Sequence, residues 1–295
     1  MIKILHEAPF CYFKNGTITD NEDCEYALVH KILSDPEYAN LMEDSRKKNR
    51  LYILDNSLIE LGAAFGGKEY AEAVKKVRPQ YYVVPDTFDD MKGNIESCMD
   101  FVNEYYDALL PSLPLVPVHG INTGETLWAY EYFNKHLPED AMLALPYASA
   151  AFANEGEVEG YHTKSSVPYR PLRQALNRRK FIDRNYTTLR NRDIHLLGCM
   201  SVLEFAGTSP YDKSFIKSVD TSLPIALALE GYNFWDEFNA LNEPIKETLK
   251  QNGLHSILGY KPSLKVDKLF YNNFEQNVVG NIQYFRYQVR DWYKK

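Results

Sequence analysis

Three aspartates in this 295-residue chain each close a short apolar run: "SFIKSVD" ends at Asp220, "RLYILD" at Asp55 and "QYYVVPD" at Asp86. A fourth run, "LPLVPVHG", ends at His119 and Gly120. One aspartate after a strand is commonly an N-cap, because its side chain accepts a free N–H from the first turn of the next helix. Three of them from three different runs, with a histidine alongside, argue for a shared site instead. Carboxylates held at one site are pushed apart in pKa, so that one stays ionised as a nucleophile while another takes and returns a proton.

Such a site needs strands whose ends converge. The runs "IKILHEA", "RLYILD", "QYYVVPD", "LPLVPVHG", "AMLALPYAS", "DIHLLG" and "SFIKSVD" read as strands. Helix-like stretches separate them: "AFGGKEYAEAVKKVRP", closed by Pro79, then "GNIESCMDFVNEYYDALL", "TGETLWAYEYFNKHL" and "SVLEFAG". About seven strands alternating with helices predict a parallel sheet. The "FGGK" at 65–68 has neither a GxGxxG nor a Walker spacing, so no dinucleotide or P-loop fingerprint is present. The expectation is an α/β fold, an irregular (β/α)8 TIM-type barrel, with residues 1–295 forming a single catalytic domain. The C-terminal ends of barrel strands form the active face, which would hold Asp55, Asp86, His119, the "LPYAS" turn, "HLLG" and Asp220. A closing helix is read over "NNFEQNVVGNIQYFRYQVRDWYKK", with Phe274, Val278, Ile282 and Phe285 on one stripe and Trp292 as packing.

Charge is unevenly spread. The net charge is −7, yet between Lys164 and Arg192 one acid, Asp183, stands against nine bases: Lys164, Arg170, Arg173, Arg178, Arg179, Lys180, Arg184, Arg190 and Arg192. Such a run is usually a solvated helix face, but here the interspersed acids are nearly missing. Arginine forks suit phosphate oxygens, and Tyr169 and Tyr186 lie among them, so the segment at about 164–192 reads as a nucleic-acid-binding surface beside the active face. No apolar run approaches the ~18 residues of a membrane span, and "MIKILHEAPF" lacks a signal-peptide layout. The four cysteines (Cys11, Cys24, Cys98 and Cys199) are scattered, with no CxxC. Reduced thiols and a cytoplasmic location are expected, with no structural zinc and no membrane partner. His195 lacks an HxH or HExxH companion and reads as structural, and Cys199 lacks the His–Asn pattern of a thiol nucleophile.

"LDNSLIELG", "VVPD", "VPVHG", "HLLG" and "SVDTSLP" occur in the order and spacing of the motifs of tRNA-guanine transglycosylases. The chain most resembles their DNA-directed relatives in phages and bacterial modification islands, the 7-deazaguanine DNA transglycosylases, over roughly residues 50–225. The resemblance implies exchange of guanine in a polynucleotide for a 7-deazaguanine such as preQ0 or preQ1. No cofactor is implied beyond that base as co-substrate, and a phage-encoded enzyme would work in the host cytoplasm. It implies Asp220 as the nucleophile that attacks ribosyl C1′, Asp55 as acid/base at the exchange step and Asp86 as the acceptor for the guanine edge. Ser57, His119, Gly120, Pro146 and Tyr147 would complete the base-binding set. Two departures stand out. "DNSL" replaces the family's "DSGG", and His119 falls where the family carries glutamine. The family's cysteine–histidine zinc subdomain is missing from the sequence, which with the arginine-rich segment favours DNA over tRNA and leaves the oligomeric state open.

The chemistry is coherent with those residues. A glycosidic bond breaks through an oxocarbenium-like transition state that a carboxylate can stabilise and trap. The leaving purine needs a proton or hydrogen bonds at its edge, and a covalent intermediate lets a second base attack from the vacated face. Tyr147 and Phe88 are candidates to sandwich a base rotated out of its stack. A base-releasing N-glycosylase or retaining glycosidase would use the same acids with water as acceptor. A non-catalytic nucleic-acid-binding barrel would need only the basic segment.

Overall fold

The computed structural model describes residues 2–6, 24–47, 50–88, 90–154, 170–199, 202–205, 211–229 and 271–294. Eight parallel strands lie in the order β1-β8-β7-β6-β5-β4-β3-β2. They are β1 (Lys3–His6), β2 (Cys24–Leu28), β3 (Leu51–Asp55), β4 (Tyr81–Val83), β5 (Leu113–Pro117), β6 (Met142–Pro146), β7 (Ile194–Leu197) and β8 (Ile216–Thr221). β1 and β2 pack side by side without a ladder between them, so the sheet is a nearly closed barrel. The fold is an irregular (β/α)8 barrel, as expected.

Helices alternate with the strands: α1 (Val29–Ser34) and α2 (Pro36–Lys47), then the short α3 (Leu58–Leu61), α4 (Gly67–Val77), α5 (Met91–Leu109) and α6 (Thr123–His136). After β6 come α7 (Ala150–Asn154), α8 (Arg170–Arg184) and α9 (Tyr186–Leu189), and β7 is followed by a 3-10 turn at Val202–Phe205. α10 (Leu223–Leu229) and α11 (Tyr271–Lys294) complete the described chain. On α11, Val278, Ile282, Phe285 and Trp292 are buried, and the Trp292 ring lies 5.4 Å from Phe205, so the closing stripe packs as read. The side chain of Phe274 lies outside the described residues.

One strand escaped the sequence reading. "CEYAL" runs into "VHKIL", and Leu28, Val29, Ile32 and Leu33 mimic a helical stripe, so the boundary between β2 and α1 leaves no period-2 signature.

Period-2 alternation sorts the strand residues into two cores. Leu5, Tyr26, Ile53, Val83, Leu115, Met142 and Ala144 fill the barrel interior. Their neighbours, among them Tyr52, Leu54, Tyr82, Val84, Val116, Leu143 and Leu145, pack outward under the helices. Two residues beyond Ile53 stands Asp55, so the inward series that fills the barrel ends in a carboxylate at its mouth. β8 reaches the same result by another route. Ile194 pairs with Ile216 but His195 pairs with Ser218, a bulge that leaves Lys217 unmatched. Ile216 packs in the outer core, and the extra residue flips the phase so that Ser218 and Asp220 follow the inward face.

Candidate active site

Asp220 is the penultimate residue of β8, and the residue is 5% exposed. Oδ1 accepts from Nε2 of His195 at 2.8 Å and from the backbone N–H of Gly198 at 2.7 Å. Among the described residues, Oδ2 accepts no hydrogen bond. Gly198 adopts φ 67°, a left-handed turn that glycine takes without a Cβ penalty, and this turn aims its N–H at the carboxylate. His195 is a hydrogen-bonded structural residue, as read, and one of its bonds is to Asp220. It is fully buried, with Nδ1 2.8 Å from Ser218 Oγ and the opposite ring nitrogen on Asp220. Sequence reasoning missed its contact because a bulge, invisible in the residue pattern, brings Ser218 opposite it.

Asp55 ends β3, half-buried, with Oδ1 accepting from the Tyr26 hydroxyl at 2.7 Å and Oδ2 from the Ser57 N–H at 2.7 Å. Loss of solvent at the cavity pushes its carboxyl from 3.8 to about 7. The Tyr26 and Ser57 hydrogen bonds oppose the rise, and the carboxylates of Glu60 and Asp86 add to it. Ser57 holds φ 59°, an uncommon value for a non-glycine residue, at the position where the resembled motif carries glycine. Its side chain is fully buried and its Oγ lies 2.8 Å from His30 Nδ1, so Ser57 acts on Asp55 through its backbone rather than facing the cavity.

Asp86 lies just beyond β4, with Oδ1 accepting from Asn56 Nδ2 at 2.7 Å and Oδ2 2.6 Å from His119 Nε2. Asn56 also donates to the Val84 carbonyl at 3.0 Å, which ties the Asp55 loop to the Asp86 loop. His119 is buried behind Asp86, its ring edge-on to Phe88 at 5.1 Å, and it does not line the cavity. Gly120 is also set back. A Cβ there would stand 2.5 Å from the Thr126 backbone N, so the glycine lets the β5 loop sit against the first turn of α6. Three of the expected base-binding residues, Ser57, His119 and Gly120, thus support the site from behind.

None of the three aspartates caps a helix. The caps come from Asp90, which accepts from Gly93 N on α5, and from Asn122, which accepts from Glu125 N on α6. The strand-end acids are left to the barrel mouth. There a cavity of about 320 Å³ is lined by Asp55, Asp86 and Asp220 together with Tyr26, Leu28, Asn56, Ile59, Val83, Phe88, Pro146, Tyr147 and Leu197. Its size suits one small aromatic ligand with a few converging polar groups. Glu60 adds a fourth carboxylate, and among the described residues no lysine or arginine lines the cavity. Among the described residues no group of three or more His, Cys, Asp or Glu side chains is placed to hold a metal ion.

The basic segment is divided by the fold. Arg178 is fully buried, where its guanidinium binds both Glu204 carboxylate oxygens at 2.6 and 2.8 Å. It also donates to the carbonyls of Leu145, Leu197 and Gly198 at 2.7 to 3.0 Å. It clamps the ends of β6 and β7 and cannot reach a phosphate. Arg192 is spent on Asn134 and on the Pro138 and Ala141 carbonyls, at the loop that leads into β6. That loop lies at the opposite end of the barrel from the aspartates, so α8 runs away from the mouth and Arg190 and Arg192 do not flank it. Arg179, Lys180 and Arg184 are half-buried or exposed along α8. Lys164 and Tyr169 lie outside the described residues, as do the side chains of Arg170 and Arg173 at the mouth-proximal start of α8.

Fold and site together define a (β/α)8 barrel with a carboxylate-lined cavity at the C-terminal ends of its strands. No protein-family model matches the chain, and no curated protein matches its sequence. Among the described residues no helix is long and apolar enough to cross a membrane.

Proposed function

We propose that the chain is a transglycosylase that exchanges guanine in a polynucleotide, DNA in preference to tRNA, for a 7-deazaguanine such as preQ0. The observation that carries this reading is the pairing of two unlike aspartates on one cavity. Asp220 offers a carboxylate oxygen free of hydrogen bonds among the described residues, and Asp55 is pushed up to about 7. The first suits a nucleophile. The second suits a group that must give a proton to the departing base and take one from its replacement at neutral pH, since a catalytic pKa near the working pH serves both directions. Asp86, held from behind by His119 and Asn56, faces the same cavity as an acceptor for the base edge, with Phe88 and Tyr147 as flat apolar walls. The polynucleotide would meet the mouth near the start of α8.

The test incubates the full chain with guanine-labelled DNA, and in parallel with labelled tRNA, with and without preQ0, for the wild type and Asp220→Asn. Label release beyond one equivalent per enzyme that requires both preQ0 and Asp220 supports the proposal and selects the polymer. Release beyond one equivalent without an incoming base replaces it with a base-releasing glycosylase. Binding without release in either polymer, unchanged in the variant, removes the enzymatic reading.

A further inference from the structure

We propose that Ser218 and His195 form a positioning relay that holds Oδ1 of Asp220 and leaves Oδ2 as the oxygen that bonds to the sugar. In the same proposal this hold makes the carboxylate a better leaving group in the second half of the exchange. The inference rests on the transglycosylase reading and adds two residues to it.

The geometry is closed on one side. His195 Nε2 and the Gly198 N–H both meet Oδ1, at 2.8 and 2.7 Å, while His195 Nδ1 lies 2.8 Å from Ser218 Oγ. His195 and Ser218 are fully buried, so water does not compete for these bonds. An ionised carboxylate only accepts, which places a hydrogen on Nε2. In the neutral ring Nδ1 then accepts the Ser218 hydroxyl hydrogen, and that bond fixes the ring orientation. The relay is a product of the β8 bulge, which brings Ser218 into register with His195 and puts Asp220 two residues further along the same inward face.

The consequence is directional. In the first half-reaction an Oδ2 lone pair forms the bond to C1′ as the C1′–N9 bond breaks, and the departing pair on the base takes a proton from the Asp55 carboxyl. In the second, the N9 pair of the incoming base attacks C1′, the C1′–Oδ2 pair returns to Asp220, and the N9 proton passes to Asp55. Oδ1 is carboxylate oxygen at the start and end but ester carbonyl in between. Donors bind the charged form more strongly, so they favour departure of Asp220 from the sugar over its retention. Without them the glycosyl-enzyme persists.

Two measurements on the full chain test this. In the first, ring-¹⁵N-labelled histidine is observed by NMR in the wild type and Ser218→Ala. Hydrogen on Nε2 with Nδ1 as acceptor, and a shift of Nδ1 alone on loss of the serine, is expected. Hydrogen on Nδ1 with Nε2 bare overturns the relay. In the second, the covalent adduct formed on guanine-containing DNA without an incoming base is isolated, and its discharge after addition of preQ0 is timed. His195→Leu should discharge at least ~10-fold more slowly, as expected for loss of one charge-assisted hydrogen bond. His195→Gln, which can return an N–H to Oδ1, should recover most of the rate. Equal discharge by wild type and His195→Leu, or no recovery with glutamine, overturns the leaving-group role. Ser218→Ala substitutes in this assay if the leucine variant does not fold, with slowed discharge expected and a wild-type rate counting against the relay. If the wild type forms no adduct on DNA or RNA, the transglycosylase reading falls and takes the leaving-group role with it. The NMR result still decides separately whether His195 holds Oδ1.

Discussion

Tyr26, on the strand that the residue pattern concealed, donates its hydroxyl hydrogen to Asp55 on the neighbouring strand at 2.7 Å. The bond favours the ionised carboxylate and so restrains a carboxyl that lost solvation drives up to about 7. Tyr26→Phe removes that restraint and should move Asp55 higher still. If Asp55 carries the protons of base exchange, the pH optimum of exchange should lie near 7 in the wild type. It should shift alkaline by roughly one unit in the variant, the scale of a hydrogen bond to a charged group. A pH–rate profile for both proteins checks this, and an unmoved optimum would separate Asp55 from the proton transfer.

Asp55 also sets a pH dependence of stability. Its carboxyl titrates at 3.8 when unperturbed and at about 7 when folded, so between those values the folded chain keeps a proton that the unfolded chain has lost. The stabilising contribution is fully present below 3.8 and is lost as pH rises through about 7. Asp55→Asn cannot ionise and should therefore gain on the wild type between pH 5 and pH 8, by about 1–3 kcal/mol. Urea unfolding of both proteins at the two pH values measures the difference.

Arg178 belongs to the basic run by sequence and to the core by structure. Arg178→Ala should cost about 3–5 kcal/mol, because Glu204 would be left as a buried, unpaired charge. Replacing both partners by methionine should recover much of that loss. Thermal unfolding of the single and double variants decides the point, and a single variant as stable as wild type would contradict a structural role.

Gly120→Ala tests whether "HG" meets the base or the helix behind it. A Cβ at that site runs into the Thr126 backbone, so a loss of about 1–3 kcal/mol is expected, visible in the melting temperature. Affinity for the free base should fall only as far as the Asp86 loop is displaced.

By itself the sequence determined the alternation of strands and helices, and with it the parallel barrel and the end of the barrel at which Asp55, Asp86 and Asp220 stand. These features are local: strand periodicity, Pro79 after α4 and polar turns are written in neighbouring residues. Tertiary structure decided which groups touch. The β8 bulge changes which face Ser218 and Asp220 follow, and only pairing with β7 reveals it. His119 sits behind Asp86 because its Nε2 meets Asp86 Oδ2 across neighbouring strand ends at 2.6 Å, whereas its place in the sequence is equally compatible with the cavity wall. The run from Lys164 to Arg192 reads as one charged surface, but a helix that descends the barrel while turning one side inward buries Arg178 and carries Arg192 to the far end. Charge counted along a chain therefore says how many cations a segment has, and packing alone says which of them meet solvent.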